Sequence, residues 1–438
     1  MDSDFHYYGT GTAALAAGFS EEESTLIANV AQYHDWFHSD YWSNWYLVDK
    51  EGAAVKDPGG SQYHYVYPQL TAQKLDWKMV VDYDASVWTP FHFPPGNVAS
   101  PADSKNSQGK DGWKNTFASH HQVRKTGLGP DDSCQLCRPY SQFAMDMLAD
   151  TIEQFNQLSN ATGSDLEQKT ATLLGDRKRC PVSDGKQLAL YLLGIRLHVL
   201  SDTWAHQDFT GADSAAVNGA GIENNVYAKN AQGEYKLTQW VGTLDLLHAD
   251  TDCSAAPNKG SNPGHGQLGH LPDYSWITMK YPASWLPAGQ EYHERENPTQ
   301  YVEAWSWVSQ AMKLCRGALS DAQIKSEPEP TPDELSRTLS TFHVLSTTAS
   351  TVIPASEKLW QQTALGKKLP ERWSPENRKA LGLYNGLAVT REGYINVVKD
   401  STLHCMETAA AIHYQFCVEW AKKNQAAYPS WKLATPKT

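Results

Sequence analysis

One run restricts the fold of this chain more than any other: LYLLGIRLHVLSDTWAH, residues 190–206. Its apolar residues fall on nearly every side of a helix. A helix over 184–208 therefore has no face to give to water and belongs in the middle of the molecule. The same run carries His198, Asp202 and His206, spaced four apart. At about 100° per residue, two steps of four turn the helix by about 80° in all, so the three side chains can converge on one point. Burying a carboxylate and two imidazoles is costly unless they are paired or bind a metal. Imidazole and carboxylate are ligands that borderline cations such as zinc accept. Two readings follow: an Asp–His hydrogen-bonded pair closing the helix end, or a metal site to which Asp208, just beyond, adds a further acid.

At 438 residues the chain can bury a large core, as one domain or two. The net charge of −12 speaks against a broad basic surface, so no stable nucleic-acid binding is expected. A nuclease stays open, because bound divalent cations supply positive charge locally. The start, MDSDFHYYGTG, has no basic segment followed by an apolar run, and no stretch long enough to span a bilayer appears. Cytoplasmic synthesis is the expectation, with export by a signal-independent route left open. The seven cysteines are scattered, which suits mostly free thiols. Cys134 and Cys137 form a lone CxxC, read as two loop cysteines, half of a zinc knuckle, a redox pair or a strained disulfide.

Helical spacing is expected over 9–35, with Ser20 before three acids as a cap, and over 139–160, 184–208, 299–320, 333–347, 376–388 and 391–423. A short helix over 239–249 interrupts a Gly-, Asn- and Pro-rich stretch from 211 to 275. Residues 50–70 and 88–135 read as irregular. Few alternating strand patterns occur. The expected fold is all-α, a multi-helix bundle with long irregular loops. Residues 1–325 would form a metal-binding catalytic domain, with 326–438 as C-terminal helices packed on it after the linker SEPEPTPDE. Trp36, Trp42, Trp45, Trp88 and Trp113 lie near polar loops, as core packing or as an aromatic entrance for lipid or bases.

Further ligand candidates lie outside the central helix. The loop GHGQLGHLPDY offers His265, His270 and Asp273, and the tight HxxD spacing favours the last two. Asp2, Asp4 and His6 alternate, so an extended segment would point all three one way. His34 and Asp35 form an HD dipeptide at a helix end. His92 sits in the rigid loop TPFHFPPG.

The motif HVLSDTWAHQDFTG and the start MDSDFHYY resemble an uncharacterised microbial family that begins MDxDFHYY and carries HVxxDTWAHQ. More distantly, the spaced ligands resemble the zinc-dependent phospholipase C and single-strand nuclease superfamily. That resemblance implies an all-α, phospholipase C-like fold holding one to three zinc ions. It implies that His198, Asp202 and His206 bind metal and that a further acid bridges or activates water. In the phospholipases the N-terminal amine helps bind zinc; here Asp4 or His6 would take its place. Where the family expects a glutamate three residues after the later histidine, this sequence offers HLPD.

The function expected is metal-assisted phosphodiester hydrolysis, phospholipase C-like, with Asp202 or Asp35 orienting or bridging. The substrate would be a phospholipid or another phosphodiester, met through transient contact with a membrane surface. The alternatives are a single-strand nuclease and a non-enzymatic, metal-stapled binding protein, effector or toxin component.

Overall fold

The computed structural model describes residues 1–37, 44–56, 65–66, 68–69, 71, 87–99, 112–175, 180–212, 214–220, 225–230, 232–237, 264–269, 271–317, 349–374, 376–384, 394–431 and 433. The apolar run around His198 and Asp202 lies in one helix, Gly185–Ala205, and nearly all of its side chains are buried. Asp184 caps its start by accepting from the Gln187 amide. Four helices wrap it: Glu21–Tyr33, Gln142–Ser159, Asn297–Cys315 and Thr402–Lys423. Each of the four is capped or entered as its sequence dictates. Ser20 and Glu23 make a reciprocal capping box at 3.1 and 3.0 Å, and Ser141 and Ser401 cap the second and fourth. Gly194 lies where the Glu21–Tyr33 helix crosses the central one. A Cβ there would stand 2.8 Å from Val30 Cβ and 3.0 Å from the Ile27 carbonyl, so only glycine allows this approach.

The expectation of an all-α bundle is overturned, because two sheets accompany the helices. The first has the order β2-β1-β7, with β1 (Asn44–Val48) antiparallel to β2 (Tyr65–Val66) and parallel to β7 (Tyr394–Val398). The second is antiparallel, in the order β4 (Tyr235–Leu237), β3 (Tyr227–Lys229), β5 (Thr278–Tyr281) and β6 (His293–Glu296). These strands run two to five residues, too short for a period of two to stand out in the sequence. The strand Tyr394–Val398 takes the place of a helix start expected at 391. Its β-branched Ile395, Val397 and Val398 fit a pleated surface better than a helix.

The N-terminus is also corrected. It is not extended: Asp4–Gly9 is a π-helical turn leading into the helix Thr10–Ala16. A helix, Gly112–Ser119, stands inside the expected irregular region 88–135. The expected helices 239–249 and 333–347 and the boundary near 326 lie outside the described residues. Beyond that boundary, Ala349–Gln362 packs on the N-terminal π-helical turn and Thr402–Lys423 on the central helix. Among the described residues no helix is long and apolar enough to cross a membrane.

Candidate metal centre

Four histidines around Asp202 and Asp273 each have one ring nitrogen fixed on a main-chain carbonyl. His92 Nε2 donates to Thr71 O at 2.8 Å, and His198 Nδ1 to Ala31 O at 2.8 Å. His206 Nδ1 donates to His92 O at 2.7 Å, and His265 Nδ1 to Gly269 O at 2.7 Å. A neutral imidazole carries one N–H, so each bond sets the tautomer and leaves a lone pair on the other nitrogen. Those lone pairs face acceptors. His198 Nε2 lies 3.0 Å from Asp202 Oδ2 and 3.2 Å from His92 Nδ1, which is itself 3.1 Å from Asp202 Oδ2. His206 Nε2 lies 3.1 Å from Asp273 Oδ1, and His265 Nε2 3.3 Å from Asp273 Oδ2. A lone pair against a carboxylate repels, whereas a cation between them makes both into ligands. Protonation is the other remedy, and burial opposes it: it holds His206 at about 4 and His198 well below the usual imidazole range.

Two carboxylates join the imidazoles. Burial works against ionising Asp202, yet the positive Met1 amine against it holds its carboxyl well below the usual range. Its Oδ1 accepts from the Met1 α-amine at 2.7 Å and lies 3.2 Å from His6 Nε2, while Oδ2 faces His92 and His198. Asp202 can therefore serve two positions at once. Met1 N is also 3.2 Å from Asp273 Oδ1. Despite its burial, Asp202 and Asp273 raise that amine to about 11. The Asp273 turn is held from behind. Asn297 Nδ2 reaches the carbonyls of Tyr274, Leu271 and Pro272 at 2.8, 3.1 and 3.2 Å, and the Tyr301 hydroxyl donates to Asp273 O at 2.7 Å. Among the described residues, three groups of side chains have donor atoms close enough to hold a metal ion: His34, His92 and His198; His6, His198 and Asp202; and His206, His265 and Asp273. The first two share His198, whose one free nitrogen serves one ion. His34 strengthens the fit, because it is fully buried and neither of its ring nitrogens has a hydrogen-bond partner among the described residues.

Residues 1–419 match a family model described as Family of unknown function (DUF6765). The chain belongs to that family. No curated protein and no solved structure matches it. The family match spans the whole centre, from Met1 to Asp273.

The structure brings together most of the candidates drawn from this family member's sequence. His198, Asp202 and His206 converge, joined by His6, His34, His92, His265 and Asp273. Asp35 stands at the rim, with 29 % of its side chain exposed, 3.6 Å from His198 Nε2, 3.8 Å from His6 Nε2 and 3.9 Å from His92 Nδ1. Loss of water on its inner side and the neighbouring Asp202 carboxylate push Asp35 well above the usual range. Asp4 falls elsewhere: its Oδ2 accepts from Ser275 and Ser356 at 2.7 Å each, and burial raises it to about 7. His6 Nε2 and the Met1 amine both reach Asp202 Oδ1, at 3.2 and 2.7 Å. His270 lies outside the described residues, and His265 is the loop histidine that meets Asp273. Asp208 is clasped by Arg124 and Arg138 rather than turned toward the ligands. Cys134 and Cys137 are buried free thiols, outside every ligand group among the described residues. Trp45 and Trp113 are buried, Trp36 and Trp88 are half-buried, and Trp42 lies outside the described residues.

Proposed function

We propose that this protein is a metal-dependent phosphodiester hydrolase, phospholipase C-like, with zinc as its resident ion. The observation that carries this is the set of four histidines with N–H groups fixed on carbonyls and lone pairs turned on Asp202 and Asp273. The donor set of imidazole nitrogen and carboxylate oxygen suits zinc. His206, His265 and Asp273 would hold one ion. His198 and Asp202, with His92, His34 or His6, would hold its neighbour. Bound there, the ions would lower the pKa of water and offset charge on the phosphoryl oxygens.

The chain's own groups supply the rest. Asp202, with one oxygen toward Met1 and His6 and the other toward His92 and His198, keeps the two sides in register. Asp35, the most exposed carboxylate of the centre, is placed to accept the proton of an attacking water at its carboxylate oxygens. The water oxygen forms the new bond to phosphorus, the bond to the leaving alkoxide breaks, and that alkoxide takes up the proton that Asp35 accepted. A second reading, a single-strand nuclease, draws support from the ring stack beside His206. Phe93, buried, lies between His206 at 4.2 Å and Trp88 at 5.3 Å, and the half-buried Trp88 ends the stack with an aromatic ring of the kind that stacks bases.

Elemental analysis of the purified chain comes first, with at least one tightly held ion expected. Headgroup release from phosphatidylcholine vesicles and loss of single-stranded DNA are then compared, with and without chelator. Chelator-sensitive headgroup release supports the first reading, and chelator-sensitive DNA loss alone supports the second. Bound metal with neither activity would favour a metal-stapled binding or effector protein.

A further inference from the structure

The metal ligands come from separate segments, and one residue outside the centre touches two of them. Asn97 ends the segment that carries His92; its Oδ1 accepts from the Arg124 main-chain amide, and its Nδ2 donates to Arg124 O at 3.1 Å. Asp208 ends the segment that carries His206; its two oxygens accept from Arg124 Nε and Nη2 at 2.9 Å each. Arg124 thus grips one ligand segment with its main chain and the other with its guanidinium. The rest of its loop lies along the same seam. Gly96 N donates to Leu136 O at 2.9 Å, Asp208 N to Cys137 O at 2.9 Å and Cys137 N to Phe209 O at 2.7 Å.

Arg124 is not needed to neutralise Asp208. Arg138 Nη1 already donates to Asp208 Oδ1 at 2.7 Å, and His293 Nε2 lies 3.2 Å from Oδ2. The second guanidinium adds a planar, two-point grip that fixes direction as well as charge. Asp208 meets that grip with a φ of 74°, a left-handed conformation that a non-glycine residue holds only when its surroundings require it. The strained residue stands two positions after His206, whose Nδ1 is itself bonded to His92 O.

We propose that Arg124 is a positioning residue that sets the separation between the metal group containing His92 and the one containing His206, by tying Asn97 to Asp208. This rests on the metal reading above. The test uses the full chain with cobalt(II) and zinc(II) as probes, following calorimetric affinity and the visible cobalt spectrum. In Arg124→Met, Asp208 keeps Arg138 and His293, so the fold is expected to survive. Affinity for at least one ion should fall about ten- to a hundredfold, the range seen when supports behind metal ligands are removed. The cobalt band should change shape, and added methylguanidine should restore part of the affinity. Asn97→Ala cuts the main-chain half of the tie and leaves the guanidinium pair, and the same loss is expected. Wild-type affinity and spectrum in either variant overturn the proposal while leaving the metal reading intact. If the wild-type chain takes up no ion, the metal reading fails first and carries this proposal with it.

Discussion

His413 lies fully buried on the helix Thr402–Lys423, with Nε2 2.9 Å from the Pro90 carbonyl. Burial pulls its ring from 6.5 down to about 3. Between those two values the unfolded chain binds a proton that the folded one does not. Stability from this residue is complete above pH 6.5 and is lost as pH falls toward 3, by about 1.4 kcal/mol per unit. His413→Gln should flatten the dependence of the urea midpoint on pH across that window; an unchanged slope would show that other groups set it. Asp35 is expected to act on rate rather than on metal. Asp35→Asn should lower phosphodiester turnover by about 10²- to 10⁴-fold while elemental analysis finds the same ion content. Loss of an ion together with activity would make Asp35 a ligand instead of a proton acceptor. At this scale, spacing made His198, Asp202 and His206 legible, because a helix translates sequence separation into direction. No such translation exists for a loop: of the two histidines it offered, His265 faces Asp273, while His270 lies outside the described residues. Asp4 misled because a π-helical turn does not alternate its side chains as a strand does.

The central helix has two points where one substitution tests how the elements hold the site. At Gly194 a methyl group would press on Val30 and the Ile27 carbonyl, pushing away the helix whose Ala31 carbonyl fixes His198. Gly194→Ala should cost about 1–3 kcal/mol, as overpacking does, and should weaken metal uptake as well. A variant destabilised with unaltered metal affinity would show that the Ala31 contact survives the shift. At the other end, Arg295 donates to the carbonyls of Ala205 and Trp204 at 2.7 and 2.9 Å, closing the helix with a cation at its negative pole. Arg295→Met strands two buried acceptors, each worth about 1–3 kcal/mol, and a lowered urea midpoint is the measure. The long helices around the central one were legible because an apolar stripe repeats over several turns and serine caps mark their starts, whereas the helix expected over 376–388 is only the turn Arg378–Leu381 among the described residues, and Gly163–Leu173 and Ala349–Gln362 were not foreseen. The sheets were not, since a strand such as Thr278–Tyr281 is four residues long and depends on its neighbours for pairing. β6, His293–Glu296, alternates buried and exposed residues as a strand should, yet four residues of HERE read equally well as the start of the helix that follows.

The candidate ligands come from residues 6, 34, 92, 198, 202, 206, 265 and 273, so the centre joins parts of the chain far apart in sequence. Each part is also held by its own packing: the π-helical turn by the helix Ala349–Gln362, and the Asp273 turn by Asn297 and Tyr301. Such a scaffold should fold without metal and gain stability from it, unlike a small zinc module that unfolds when stripped. Binding to the folded state alone stabilises by about 2.7 kcal/mol when free ion stands at a hundred times its dissociation constant. Thermal unfolding of chelator-treated protein should therefore stay cooperative, with a midpoint that climbs as zinc is added back and keeps climbing logarithmically past saturation. A midpoint indifferent to zinc would mean that no ion binds the folded chain preferentially, and the lone pairs facing Asp202 and Asp273 would need another partner. Loss of cooperativity on chelation would mean that the ions build the fold rather than occupy it. The packing of Trp45, Trp204, Trp285 and Trp360, all but fully buried, argues for the first pattern, because a core of that size does not need an ion to close.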